Sequence, residues 1–237
     1  MDNTQTGKHI SQQFNVELEE IRNRVLEMGG LVEQQIISAV KSLVDNDTDL
    51  AQTVIQNDVK VNAAEVKIDE ECSQILARRQ PTASDLRLVV AVIKTITDLE
   101  RIGDQAERIA RMGIRLSESE RPKNGYHELE HLGEHVSRMM HDTLDAFART
   151  DVEAALKVAK EDLSLDQEYD GIMRQSLTFM MEDPRMITRM LDVMWIARAI
   201  ERIGDHAKNI GEYVIYLVKG KNVRHTSLED MEQELQD

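Results

Sequence analysis

A single cysteine, Cys72, excludes an intramolecular disulfide framework and fits a reducing cytoplasm. Aromatic residues are only 3% of the chain and prolines number three. That is poor material for a turn-rich β-sandwich and leaves a core to be filled by aliphatic residues and twelve methionines, as in a helical protein. No apolar run approaches the ~20 residues that cross a bilayer, and the opening MDNTQTGKHISQQF lacks the hydrophobic stretch of a secretory signal. Positive charge is scarce too. The 29 Lys and Arg against 44 Asp and Glu give a formal net charge of −15. Such a chain is no general binder of nucleic acid, which needs cations against phosphates. It suits a protein that binds cations or a basic protein surface.

What the chain does have is a repeat. Residues 99–110 read LERIGDQAERIA and residues 200–211 read IERIGDHAKNIG, 101 positions apart. At the same offset, Glu65 and Asp69 fall on Asp166 and Asp170. Internal duplication of this kind sets the architecture before any local feature does. From Phe14 through Leu18, Ile21, Val25, Met28, Val32 and Ile36 to Ala39 and Leu43, apolar residues recur at intervals of three and four, the seam of a long helix. Further helical patterns cover 48–79 and 82–117, then 126–149, 151–181 and 184–219. Pro81 and Pro184 punctuate corresponding joints, and Pro122 marks a linker between the halves. β-branched residues fall at helical spacing and not in alternation. The expectation is an all-α protein of two tandem, sequence-related antiparallel three-helix bundles, one over 1–120 and one over 121–237. Residues 220–237 are polar and acidic and read as a frayed tail.

The acids carry the chemistry. Positions i and i+4 share one helix face, so Glu65/Asp69, Glu100/Asp104, Asp166/Asp170 and Glu201/Asp205 are four carboxylate pairs. Taken alone, Glu100/Asp104 looks like a solvated face, well round from Leu99, Ile102, Ala106 and Ile109. Glu65 and Asp69, by contrast, border the stripe formed by Ile68, Cys72, Ile75 and Leu76. Asp166 and Asp170 lie likewise beside Tyr169, Met173, Leu177 and Met180. If antiparallel helices gather four acids, each like-charge contact near 4 Å is repulsive by about 4 kcal/mol at an effective dielectric of 20. Two answers are open. Arg108, four residues after Asp104, could pair with it, although Asn209 stands at that position in the second half. Alternatively a hard cation such as iron, manganese, magnesium or calcium sits on the oxygens. Gly103 and Gly204 interrupt good helices at the same point, which favours close helix packing over an opening for a ligand.

His127-Glu128-Leu129-Glu130-His131 matches the H-E-x-x-H zinc-hydrolase pattern. Its place straight after the linker, the charged Glu130 and the lack of any strand to hold a peptide mark it as a solvated polar face. Glu128 and His131 form only one of the two E-x-x-H pairs that a di-iron bundle requires. No Gly-rich phosphate loop or supported nucleophile set is present. Cys72 lies on an apolar face and reads as core.

The paired E(D)xxxD motifs and ERIGD segments occur alongside Met28-Gly29-Gly30, the stretch Arg79-Gln80-Pro81-Thr82-Ala83-Ser84-Asp85-Leu86-Arg87, and Glu201-Arg202-Ile203-Gly204-Asp205-His206. Over residues 8–220 the chain closely resembles the PhoU family of phosphate-transport regulators. The resemblance implies a cytoplasmic, dimeric, non-enzymatic negative regulator of the phosphate-starvation (Pho) response. It would link a PstB-like ATPase subunit of the phosphate ABC transporter to a PhoR-like sensor histidine kinase, meeting the membrane only through these partners. It also implies iron, zinc, manganese or magnesium at the E(D)xxxD pairs and no organic cofactor. The ligands would be Glu65, Asp69, Glu100 and Asp104 in one half, and Asp166, Asp170, Glu201 and Asp205 in the other. A rival of another class is a metal-dependent hydrolase or metal store built on the same acids.

Overall fold

A computed structural model of the chain describes residues 3–118, 126–224 and 226–236. The expected linker around Pro122, and with it the division at 120/121, lies outside these. Two antiparallel three-helix bundles follow one another: α1 (Asn3–Asp45), α2 (Thr48–Arg79) and α3 (Ala83–Ser117), then α4 (His127–Arg149), α5 (Val152–Glu182) and α6 (Ile187–Lys219). Among the described residues there is no strand. A 3₁₀ turn, Pro184–Met186, leads into α6. The joints repeat: a left-handed residue (Asn46, Thr150) precedes an aspartate cap. Asp47 accepts from the Leu50 amide at 2.9 Å, and Asp151 from the Ala154 amide at 3.0 Å.

The seam expected on α1 is buried from Leu18 to Leu43, and Cys72 is fully covered. Burial also corrects the register of the duplication. The buried pairs Ala51/Ala155, Val54/Val158, Asp58/Asp162, Val61/Leu165, Ile68/Ile172 and Cys72/Ser176 lie 104 residues apart on α2 and α5. On α3 and α6 the buried sets match at 101. Glu65 and Asp69 therefore correspond in space to Tyr169 and Met173, and not to Asp166 and Asp170. The glycines show the same shift. A Cβ on Gly103 would meet Val61 Cγ1 at 3.3 Å, and one on Gly204 would meet Leu165 Cδ2 at 2.2 Å. Both glycines thus serve close helix packing.

The bundles dock through α1 against α4 and α3 against α6. On the first seam, a Cβ on Gly29 would sit 2.3 Å from Leu144 Cδ2, and one on Gly133 would sit 2.6 Å from Val40. Arg22 reaches across to the end of α4, donating to Phe147 O and Ala148 O and to Thr150 Oγ1 at 2.8 Å. On the second seam, buried Asp98 of α3 accepts from His206 Nδ1 (2.6 Å), Asn209 Nδ2 (3.3 Å) and Tyr213 Oη (2.7 Å) of α6. The apolar residues of both bundles form one continuous core.

The tail departs from the expectation of fraying. Residues Leu228–Gln236 form a short helix, α7. Ser227 caps it, Val223 and Met231 are buried, and Lys160 of α5 pairs with Glu232. Two apolar residues in a polar segment are enough to dock it, since each buried aliphatic side chain contributes about 1.5–3 kcal/mol.

Replacing Asp98 with alanine strands the His206, Asn209 and Tyr213 donors at the seam. Urea denaturation should show a loss of roughly 3–5 kcal/mol. A loss below about 1 kcal/mol, the size of one ordinary hydrogen bond, would show that this contact does not join the bundles.

Candidate metal centres

Acids line the two seams where α2 packs on α3 and α5 packs on α6, and each such row of acids is termed a groove. In the first, burial and the neighbouring Asp69 and Asp104 hold the Glu65 carboxyl above its ordinary range. Burial does the same at Glu100, helped by Asp104, Glu65 and Asp58, and at Asp104, helped by Asp58 and Glu107. The four acids expected in this half therefore share one electrostatic site. Glu65 and Glu100 are half-buried there, while Asp69 and Asp104 are exposed at its mouth. In the second groove, burial raises Asp166, reinforced by Asp162, Asp205 and Asp170. Asp205 is raised by burial and Asp162. Glu201, 7% exposed, is pushed up to about 7 by burial and by Asp205, Asp166 and Asp162. Glu201 is far more deeply placed than its counterpart Glu100. Asp166 and Asp170 are both exposed and Asp205 is half-buried.

The sequence reading missed Asp58 and Asp162, both buried on the groove floors. The 104-residue register is the signal that pairs them, and it is invisible at an offset of 101. Asp58 accepts from Gln35 Nε2 (3.4 Å) and Asn62 Nδ2 (3.0 Å). Asp162 accepts from Lys208 Nζ at 2.7 Å.

The bland explanation for the acids, a rescue of Asp104 by Arg108, is not what forms. The Arg108 guanidinium stacks over Trp195 of the other bundle at 5.8 Å. Asn209, at its counterpart, bonds Asp98. The second groove draws its cations from elsewhere: Arg198 donates to Glu201 Oε1 at 2.5 Å, and Lys208 holds Asp162.

The donors are carboxylate and amide oxygens, the set that hard divalent cations take. Three buried oxygens in or beside the grooves, Gln35 Oε1, Asn62 Oδ1 and Glu201 Oε2, accept no hydrogen bond. Buried acceptors without donors are costly, and a cation would satisfy them. Among the described residues no three His, Cys, Asp or Glu side chains are placed so that they could hold one metal ion. The carboxylates line the helix faces without converging on a point. The donor chemistry suits a hard cation; the placement does not form a site for one.

The H-E-x-x-H stretch behaves as the polar face expected of it. His127 pairs with Glu130 at 3.2 Å and remains exposed, while His131 and His135 turn to Glu168 of α5 at 3.1 and 2.9 Å. Burial pushes the Cys72 thiol up to about 12, an inert core group.

A carboxyl raised in the folded chain keeps a proton that the unfolded chain has released. For Glu201 the window is pH about 4.5 to 7, and stability falls as pH rises through it. Chelator-treated protein should lose on the order of 5 °C in unfolding midpoint between pH 5 and 8. Glu201→Gln should lose less over the same range. Equal losses in the two proteins would remove Glu201 from this role.

Comparison with known proteins accords with this geometry. The PhoU domain matches twice, at residues 25–112 and 129–214. The chain is 54% identical to the phosphate-specific transport system accessory protein PhoU homolog of Pseudomonas putida, over 96% of this chain and 89% of that protein. The crystal structure of PhoU from Pseudomonas aeruginosa superposes with a TM-score of 0.85 at 52% identity, covering 88% of this chain and 100% of that one. That of the phosphate transport system regulatory protein PhoU from Streptococcus pneumoniae gives 0.82 at 30% identity, covering 89% and 99%. With two matched domains, two bundles and relatives matched over nearly its whole length, the chain belongs to the PhoU family.

Proposed function

We propose that this chain is an accessory and regulatory protein of a phosphate transport system. It acts in the cytoplasm as a homodimeric, non-enzymatic adaptor between the transporter's ATPase subunit and a sensor histidine kinase, and so restrains the phosphate-starvation response. The observation that carries this reading is the near-full-length match to proteins named for that system, one of them a regulatory protein. Those relatives are named as accessory and regulatory proteins and not as enzymes. No helix of the described residues is long and apolar enough to cross a membrane, so in this reading the chain meets the bilayer through its partners.

The grooves supply the adaptor's chemistry. Glu65, Asp69, Glu100 and Asp104, with Asp58 beneath them, would hold cations in the first bundle. Asp166, Asp170, Glu201 and Asp205, with Asp162 beneath, would do so in the second. A divalent cation bound there would supply the positive charge that lets these acids remain ionised side by side. The chain's own part is to keep its acids on helices fixed by Gly103 and Gly204 and to present the surrounding negative surface to basic partners. Phosphate status then enters through the transporter. An adaptor that binds two conformations of the ATPase with different affinity shifts its own distribution between ATPase and kinase.

Immobilised full-length chain should retain both the ATPase subunit and the cytoplasmic part of the kinase from the same cell. Retention of neither would contradict the adaptor reading. Phosphate-ester or peptide turnover abolished by Asp104→Ala or Asp205→Ala would replace it with a metal-dependent hydrolase.

A further inference from the structure

Cations recur at every seventh residue of α3: Arg87, Lys94, Arg101, Arg108 and Arg115. Seven residues fall about 20° short of two full turns, so the five share one face over roughly 40 Å. That is a local excess of positive charge in a chain of net charge −15. The row lies on the seam with antiparallel α6. Arg87 Nη1 stands 3.4 Å from where a Cβ on Gly220 would be. The Lys94 ammonium lies over the Tyr213 and Tyr216 rings at 5.5 and 5.4 Å. Arg108 stacks on Trp195, and Arg115 pairs with Asp192 at 3.0 Å. Arg202, seven residues after Trp195, adds a cation to that face of α6 and is exposed, as Arg101 is.

The acids of the chain leave most of this row unanswered. Of the five cations on α3, Arg115 alone forms an ion pair among the described residues. Arg101 bears on Glu100 beside it. Arg87 Nε is buried without a hydrogen-bond partner. Burial and the nearby Arg224 hold the Lys94 ammonium below its ordinary range. Apolar surface adjoins the other end. Trp195 is 52% exposed, and Leu191 and Ile187, one and two turns earlier on its face, are each 43% exposed. Exposed Trp among Arg and Tyr is the composition of protein-interface hot spots.

The flanks select the shape of the partner. The acids of the α2/α3 and α5/α6 seams border this seam on either side. A flat anionic bilayer would press on both rows of acids at once. A helix, about 10–12 Å across, lies along the α3/α6 seam alone. Resting on the adaptor role proposed above, we infer that this seam is the docking surface for an acidic amphipathic helix of one of the two partners. Its carboxylates meet Lys94, Arg101, Arg108 and Arg202, and an apolar side chain packs on Trp195 and Leu191. Surfaces of opposite sign let one chain hold two partners without competition between them.

Calorimetric titration of the full chain with the ATPase subunit, and separately with the cytoplasmic part of the kinase, tests this. Arg101→Glu/Arg202→Glu should weaken one partner about a hundredfold, on the order of tenfold for each reversed charge, and leave the other unchanged. Trp195→Ala should weaken the same partner about thirtyfold. Added NaCl should weaken the wild-type complex more than that of the double variant. Hydrogen exchange should show an acidic helix of that partner protected in the complex. Both partners bound equally well by wild type and variants, or weakened alike, would overturn the docking surface and leave the adaptor reading standing. Neither partner bound by the wild type would overturn both. Two further results would replace the partner helix with another occupant: loss in the double variant of binding to phosphatidylglycerol vesicles, or of self-association.

Discussion

Carboxylates held against the edge of a tightly packed helical core, with too few donors to answer them, are the constraint on which the rest of this molecule depends. Gly103 against Val61 and Gly204 against Leu165 draw the helices so close that the acids one residue further along, Asp104 and Asp205, cannot retreat from Asp58 and Asp162. Glu100, Asp166 and Glu201 are raised by burial first and by like-charged neighbours second. A fold that keeps this arrangement must hold protons, spend its own cations or recruit ions from outside. The second groove spends Lys208 and Arg198. In the first, Arg101 and Arg111 lie near enough to act on Glu100 and Asp58.

The same duplication that doubles the grooves also builds the body between them. α1 and α4 interlock through Gly29 beneath Leu144 and Gly133 beneath Val40, positions related by the 104-residue register. α3 and α6 meet at Asp98, which gathers three donors from the opposite bundle. The halves are therefore joined along two seams with a common core. Each row of acids therefore keeps a defined place relative to the other.

Much of the architecture was legible in the sequence because helix periodicity and proline punctuation are local signals. The α2 bounds agree with the reading and α3 to α6 differ by one to three residues at their ends, while α1 begins at Asn3, eleven residues before the first apolar position of its seam. The ERIGD repeat was legible because it is written in identical letters. The 104-residue register of α1/α4 and α2/α5 was not, since it survives only as a pattern of burial, as in Ile68/Ile172 or Gly29/Gly133. That is why Asp58 and Asp162 escaped notice and why Glu65 was matched to Asp166 instead of Tyr169. Arg108 could not be placed from helix spacing because its partner, Trp195, belongs to the other bundle. The tail was misread because two buried side chains, Val223 and Met231, decide its docking and composition does not register so few.

Anomalous diffraction from crystals of the full chain grown with Mn2+ bears most directly on the proposed cation binding by the paired acids. An anomalous peak among Glu65, Asp69, Glu100 and Asp104 or among Asp166, Asp170, Glu201 and Asp205 is the expected result. Crystals with no anomalous density in either groove would contradict it.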